Sequence, residues 1–262
     1  MLTIVVCVKQ VYDPEAPASL FQVSPDGKKA IPPQGTPPVI SPFDENALEA
    51  ALRIKDVQEA KIIVVSMGAK LAKPVLKKTL AAGADELILL ADEQFEELDS
   101  YSTARVLTCA IQKLKNFDII LCGRQAADTD AGQVGPGIAE FLQIPDITLA
   151  RKVEVSGDKV RVERLLGDGY ETIETSMPVL ITASNEIGAL RYPPVKKLLA
   201  AQKMGVTSWG SAELGLEVVV DNRVKLQKLY IPERNSNCHM ISGENPEEMA
   251  AKLADVLAGV AK

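Results

Sequence analysis

The sequence predicts an α/β protein with a doubly wound, mostly parallel sheet, an antiparallel extension and a C-terminal arm. Three observations carry this. Short apolar runs alternate with helical patterns through residues 1–142. Those runs are continuous rather than alternating, as strands covered on both faces are. Residues 151–184 then change to strands parted by glycine turns, and the last third loses clear pattern.

Residues 2–8 (Leu-Thr-Ile-Val-Val-Cys-Val), 62–67, 86–90 and 118–122 are the four parallel strands in this reading. Between the first two lies a proline-rich stretch, 12–40, without a period, which predicts a long excursion carrying a small hairpin. Ser41-Pro42-Phe43-Asp44 reads as a helix start, with Ser41 as N-cap, Pro42 at the first helical position and Asp44 near the positive end of the dipole. Ala47, Leu48, Ala51 and Leu52 then form one apolar face. A second helix is predicted over 71–82, ended by Gly83 as a left-handed C′ residue. Further helices are predicted over 100–113 and 135–142. Segments 152–156, 159–165, 170–175 and 179–182 form the predicted antiparallel part, with Gly157-Asp158 as a hairpin turn. A helix near 196–203 and another over 246–257 follow. The organisation is thus a core over 1–190, a recognition segment over 191–215 and an arm over 216–262.

Composition excludes several classes. Hydrophobic residues make up 47 % and charged residues 24 % of 262, so an ordinary core is available without metal or disulfide. A net charge of −6 and the lack of a basic, aromatic-interleaved stripe argue against nucleic acid. No run approaches the roughly 18 apolar residues of a membrane span, and the N-terminus lacks a signal pattern, so a cytoplasmic protein is expected. Cys7, Cys109, Cys122 and Cys238 show no metal or disulfide spacing, and His239 is the one histidine, leaving no metal site and no catalytic triad to predict.

In open α/β sheets ligands bind beyond the carboxyl ends of the strands. Three such ends are marked: Cys7-Val8-Lys9, Ser66-Met67-Gly68 and Gly123-Arg124-Gln125. Gly68 and Gly123 suit a backbone that approaches a ligand closely. The loop continues through Asp128, Thr129, Asp130, Ala131, Gly132, Gln133 and Val134 to Gly135, straight into a helix whose N–H groups can cradle a phosphate. Neither common phosphate fingerprint is present. Asp128 and Asp130 serve equally as turn caps, so from the residues alone a nucleotide loop and a plain loop weigh the same.

Taken together, Val-Cys-Val-Lys-Gln-Val at 6–11, Ser-Pro-Phe-Asp-Glu-Asn-Ala-Leu-Glu-Ala-Ala-Leu at 41–52 and Gly-Arg-Gln-Ala-Ala-Asp-Thr-Asp-Ala-Gly-Gln at 123–133 resemble the beta subunits of electron-transfer flavoproteins. So do Val-Glu-Arg-Leu-Leu-Gly-Asp-Gly-Tyr-Glu-Thr-Ile-Glu at 162–174, Met-Pro-Val-Leu-Ile-Thr at 177–182 and Leu-Arg-Tyr-Pro-Pro at 190–194. The matches keep the family's order over about residues 1–203, whereas 12–40 and the tail after 210 match poorly. The resemblance implies a Rossmann-like, adenine-nucleotide-binding core and a heterodimer with an alpha subunit that carries the redox-active FAD. The beta chain would hold AMP or, in bifurcating members, a second FAD. It would contact the nucleotide through Cys7, Val8, Lys9, Ser41, Pro42, Phe43, Asp44, Ser66, Met67, Gly68 and the loop from Gly123 to Gly135.

The resemblance also implies a docking segment for an acyl-CoA dehydrogenase-type flavoenzyme, with Arg191, Tyr192, Leu198 and Leu199 around a hydrophobic anchor at Val195. Electrons would leave to a ferredoxin or a quinone oxidoreductase, with NADH as donor if the complex bifurcates. No catalytic residue is implied in this chain. Where AMP-binding members have Gln-Thr-Gly-Gln, this loop has Gln133-Val134-Gly135-Pro136, which favours FAD, and Arg124 adds a cation for its diphosphate. Aromatic residues are only 4 %, which gives a second isoalloxazine few stacking partners. The rival readings are a stand-alone adenine-nucleotide sensor and a nucleotide-dependent ligase or hydrolase; the latter lacks a nucleophile beside a base.

Overall fold

The structure, a computed structural model, describes residues 1–215, 222–232 and 238–260. Its strands are β1 (Leu2–Cys7), β2 (Gln10–Val11), β3 (Gln22–Val23), β4 (Ala30–Ile31), β5 (Val39–Ile40), β6 (Ala60–Gly68), β7 (Glu86–Ala91), β8 (Ile119–Gly123), β9 (Asp146–Ser156), β10 (Lys159–Leu166), β11 (Gly169–Ser176), β12 (Val179–Ala183) and β13 (Thr207–Trp209). The helices are α1 (Pro42–Val57), α2 (Lys73–Leu76), α3 (Lys78–Ala82), α4 (Ser100–Leu114), α5 (Val134–Leu142), α6 (Val195–Lys203) and α7 (Pro246–Val260).

One nine-stranded sheet runs in the order β11-β10-β9-β12-β8-β1-β6-β7-β13. It is parallel from β9 to β13 and antiparallel across β9, β10 and β11. Strand residues alternate between two cores, which is why the sequence runs are continuous. Ile4, Val6, Ile62, Val64, Ile119 and Leu121 face α1 and α3, and Val5, Ile63, Val65, Ile120 and Leu180 face α4 and α5. From β1 the chain winds one way to β6 and β7, then returns to the other side of β1 as β8. The order therefore reverses between β1 and β8, and a crevice is expected there.

The excursion 12–40 contains the expected hairpin, β3 against β4, and a second ribbon of β2 against β5. The predicted helix over 71–82 is divided at Lys77 into α2 and α3, with Pro74 in the first turn of α2. Gly83 ends α3 with φ of +134°, and a Cβ added there would lie 2.9 Å from Leu52 Cδ2.

The antiparallel part is smaller than expected. Strand β12 lies parallel to both β8 and β9, and all five of its residues are buried, so it completes the parallel core. Strand β9 starts earlier than its predicted counterpart and pairs with both parts. A register shift opposite Ile181–Ala183 and a left-handed Leu149 (φ +58°), whose N–H donates to Thr182 Oγ1 at 3.0 Å, bend it between them. Strand β13 has no apolar run, and only its parallel pairing with β7 reveals it.

The described parts of the arm lie back on earlier segments. Arg223 and Val224 donate N–H groups to Asp99 Oδ2, and Lys28 Nζ donates to the carbonyls of Leu226 and Gln227. A shallow cleft of about 420 Å³ lies between residues 22–27 and 228–231. Helix α7 is exposed almost throughout. Parts of the predicted arm, residues 216–221, 233–237 and 261–262, lie outside the described residues. Among the described residues no helix is long and apolar enough to cross a membrane.

Candidate functional site at the carboxyl ends of the sheet

Three features meet where β1 and β8 end: the first turn of α1, the Asp44 side chain it carries, and the loop after β8. The first is the start of α1. Ser41 N–H donates to the Lys9 carbonyl at 2.9 Å, and the Ser41 carbonyl accepts from the N–H groups of Asp44 and Glu45. Ser41 is the N-cap by position, yet its hydroxyl does not cap the helix; it accepts instead from Ala127 N–H at 3.4 Å. Helix start and loop are thus tied through one buried serine.

Asp44 is the second feature. Its carboxylate is buried between the two strand ends, accepting from Lys9 N–H at 2.7 Å and Gly123 N–H at 3.0 Å. Burial pushes this carboxyl up to about 7, against the downward pull of the two N–H donors and of Lys9. A Cβ on Gly123 would meet Asp44 Oδ1 at 2.5 Å and Phe43 backbone at 2.6 Å. Close approach does explain this glycine, but what approaches is α1. Gly68 likewise makes room for Leu71.

The third feature is the loop from Gly123 to Gly135. Arg124 N–H continues the β8–β12 ladder to the Ala183 carbonyl, and its guanidinium lies 4.7 Å from the Phe43 ring centre. Asp130 (φ +51°) and Gly132 (φ +63°) turn the chain in the left-handed region. Gln125 Nε2 donates to Asp130 Oδ1 at 2.7 Å, and Lys9 Nζ reaches Asp128 at 2.7 Å. Both aspartates are thus engaged within the protein. Thr129, Asp130, Ala131, Gly132 and Gln133 face outward, Val134 is half-buried and Gly135 is buried. A Cβ on Gly135 would come within 2.9 Å of Thr182 Cγ2, so the glycine lets α5 press on β12. Helix α5 starts without a side-chain cap from Gln133, which leaves its first N–H groups to solvent or a ligand.

Several polar atoms at these strand ends are buried without a partner among the described residues. They are Ser66 Oγ at the end of β6, Arg124 Nε after β8 and Ser184 Oγ after β12. Among the described residues, Asn185 Oδ1 is the acceptor for the Arg124 guanidinium, at 3.4 Å. Ser184 and Asn185 escape a sequence reading that assigns β12 to the antiparallel part; the run Val-Leu-Ile-Thr-Ala was the available signal, since it matches the buried parallel strands. Cys7 and Cys122 are neighbours on β1 and β8, both free and buried. The Cys122 thiol is held well above its usual range by its hydrogen bond to Cys7, then by burial. Met67 is half-buried, Val8 buried and Pro42 exposed. Among the described residues no cluster of His, Cys, Asp and Glu could hold a metal.

The segment from Arg191 to Lys203 packs instead against α1 and α3. Arg191 donates from its N–H and Nε to Glu49 Oε2 and from Nη2 to Glu49 Oε1, and its two Nη atoms also grip Asp56. Tyr192, Val195 and Leu199 are 86 %, 66 % and 63 % exposed. Leu198 turns inward to the core with the buried Ala201.

The Electron transfer flavoprotein domain family model matches residues 31–214. The chain is 47 % identical over 200 residues to the electron transfer flavoprotein subunit beta of Thermoanaerobacterium thermosaccharolyticum, covering 76 % of this chain and 75 % of that one. To the subunit beta of Megasphaera elsdenii it is 38 % identical, covering 95 % and 94 %. To the Caffeyl-CoA reductase-Etf complex subunit CarD of Acetobacterium woodii it is 36 % identical, covering 98 % of each. A doubly wound sheet with its switch point between β1 and β8, matched along most of its length, places the chain in the electron transfer flavoprotein family as a beta-type, electron-transferring subunit.

Proposed function

We propose that the crevice beyond β1 and β8 holds the adenine nucleotide of this subunit, and that the nucleotide is FAD rather than AMP. The observation that carries the reading is the loop from Gly123 to Gly135, which delivers the uncapped start of α5 to the switch point. The residues present fit such a group. Buried Ser66 Oγ, Arg124 Nε and Ser184 Oγ have no partner among the described residues, and a ligand with phosphate and sugar oxygens offers them acceptors and donors. Arg124 and Lys9 supply two cations for a diphosphate, with Lys9 exchanging Asp128 for the ligand. Asp44 acts behind the site: it locks Lys9 and Gly123 so that the strand ends keep their spacing.

When bound, the flavin supplies the redox chemistry, and the chain's work is orientation and electrostatics. The same reading assigns Tyr192, Val195 and Leu199 to the dehydrogenase contact, with Val195 as anchor. A relative named as part of a caffeyl-CoA reductase complex supports a flavoenzyme acting on CoA thioesters as that partner. Helix α7 and the arm supply contact with the alpha subunit. FAD in this chain, beside the alpha-chain flavin, supports bifurcation with NADH as donor.

The test is the nucleotide content of the complex co-purified with its alpha chain, released by denaturation and quantified by chromatography. Two FAD and no AMP per heterodimer is the expected result. One FAD with one AMP would reject the FAD assignment and keep the site, while an Arg124→Ala complex retaining its full second nucleotide would reject this residue's role.

A further inference from the structure

Helix α1 presents a polar stripe that a sequence reading leaves to solvent: Asn46, Glu49, Arg53 and Asp56, at helical spacings of three, four and three. Its inner part is covered. Asn46 is 8 % exposed and Glu49 5 %, the cover being the chain at 188–191. Asn46 Nδ2 donates to the Gly188 carbonyl at 2.7 Å. Glu49 accepts from Arg191 N–H at 3.0 Å, Arg191 Nε at 3.1 Å, Arg191 Nη2 at 3.0 Å and Arg53 Nε at 3.2 Å. Asp56 accepts from Arg191 Nη1 at 3.0 Å and Nη2 at 2.7 Å. Gly188 (φ +101°) turns the chain onto the stripe, where a Cβ would meet Arg53 Nη2 at 3.0 Å. Ile187 on one side and Leu190 on the other pack into the core.

A carboxylate is costly to bury, and this one is matched by a bidentate guanidinium that also gives it a backbone N–H. The arrangement holds a segment rather than merely filling space. Tyr192 follows the clamped Arg191 directly, and α6 starts three residues later at Val195. The register of the exposed Tyr192, Val195 and Leu199 is therefore set by where Arg191 is held.

We propose that Glu49 is a positioning residue for partner docking: through Arg191 it presets the exposed face formed by Tyr192, Val195 and Leu199. This rests on the docking reading of that face. Glu49 touches neither the crevice nor the exposed face, so its loss would act on docking alone. Glu49→Gln keeps the shape but sets an amide N–H₂ against Arg191 donors, loosening the clamp. Arg191→Lys, at a partly exposed position, removes the fork while keeping the charge.

The experiment uses the heterodimer with its nucleotides and an acyl-CoA dehydrogenase from which the wild-type complex accepts electrons, charged with butyryl-CoA. The rate of flavin reduction is followed against heterodimer concentration. Glu49→Gln is expected to raise KM for the heterodimer at least tenfold with kcat and nucleotide content unchanged. Arg191→Lys is expected to raise it severalfold, and Glu49→Asp to restore part of the loss. Hydrogen exchange of the free heterodimer should show amides of 189–203 exchanging at least tenfold faster in Glu49→Gln, with those of β1 and β8 unchanged. Val195→Asp is the control for the face itself. If Val195→Asp raises KM and Glu49→Gln does not, the positioning role is wrong and the docking face stands. If neither raises it, the docking face is wrong and the positioning role falls with it. A fall in kcat or lost nucleotide in Glu49→Gln would place the residue's action in the crevice and overturn the proposal.

Discussion

Helices α1 and α7 have 16 and 15 residues, each with a proline in the first turn, early acidic residues and an apolar stripe. Their fates differ. In α1, Leu48 and Leu52 are 1 % and 3 % exposed; in α7, Leu253 and Leu257 are 45 % and 58 % exposed. Even the polar stripe of α1 is partly covered, by Arg191 and the backbone before it. Amphipathic pattern tells which side of a helix wants cover, and says nothing about which chain provides it. For α1 the cover is this chain's own sheet. For α7 the cover proposed above is the alpha subunit.

The contrast breaks most sharply at the start of α1. Asp44→Ala leaves the Lys9 and Gly123 N–H groups buried and unpaired, a cost of about 1–3 kcal/mol each. Denaturant unfolding should show the midpoint fall accordingly, while the same measurement on Leu253→Ser should not move.

Next in size is a pH effect. The folded-state Asp44 carboxyl is raised from 3.8 to about 7, so its contribution to stability is complete below pH 3.8 and is lost as the pH rises through about 7. Against Asp44→Asn, which does not titrate, wild type should lose on the order of 4 kcal/mol across that window, at about 1.36 kcal/mol per pKa unit. A difference curve flat from pH 4 to 7 would mean that Asp44 ionises in the fold as easily as in the open chain. Asp56 and Glu49, lowered in net by Arg191, act with the opposite sign at lower pH.

The smallest effect sharpens the comparison. Leu253→Ser and Leu257→Ser should change the isolated chain's stability by less than about 0.5 kcal/mol. Their effect belongs to the complex, where an alpha-subunit titration should show at least tenfold weaker association. Full loss of stability in the isolated chain would mean that α7 already has its cover.

The parallel strands were legible because both faces are buried, and Ile62 to Val65 are apolar without interruption. Gly83 announced the end of α3 because only a left-handed residue fits there. Strand β12 was misplaced although it bore the same signature, since a neighbouring glycine-rich hairpin dominated the window. Strand β13 was illegible: Thr-Ser-Trp acquires strand geometry from the β7 edge alone. In the site, the loop and the strand ends were readable as places, and their division of labour was not. Sequence cannot show that Asp44 faces Lys9 N–H and Gly123 N–H rather than a ligand, because that depends on how deeply α1 enters between two strands. Arg191 likewise reads as a surface cation until its carboxylate partners, 135 and 142 residues earlier, are brought beneath it.

On the docking role proposed above, that clamp also bears on the lifetime of an encounter. A recognition segment already fastened to a helix loses little conformational entropy when a partner arrives, so a small apolar contact suffices for specificity. Such a contact forms without prior rearrangement, and its small area keeps it weak enough to separate quickly. For a shuttle that must leave each donor before meeting the next, a stiff and modest handshake serves turnover better than a tight one.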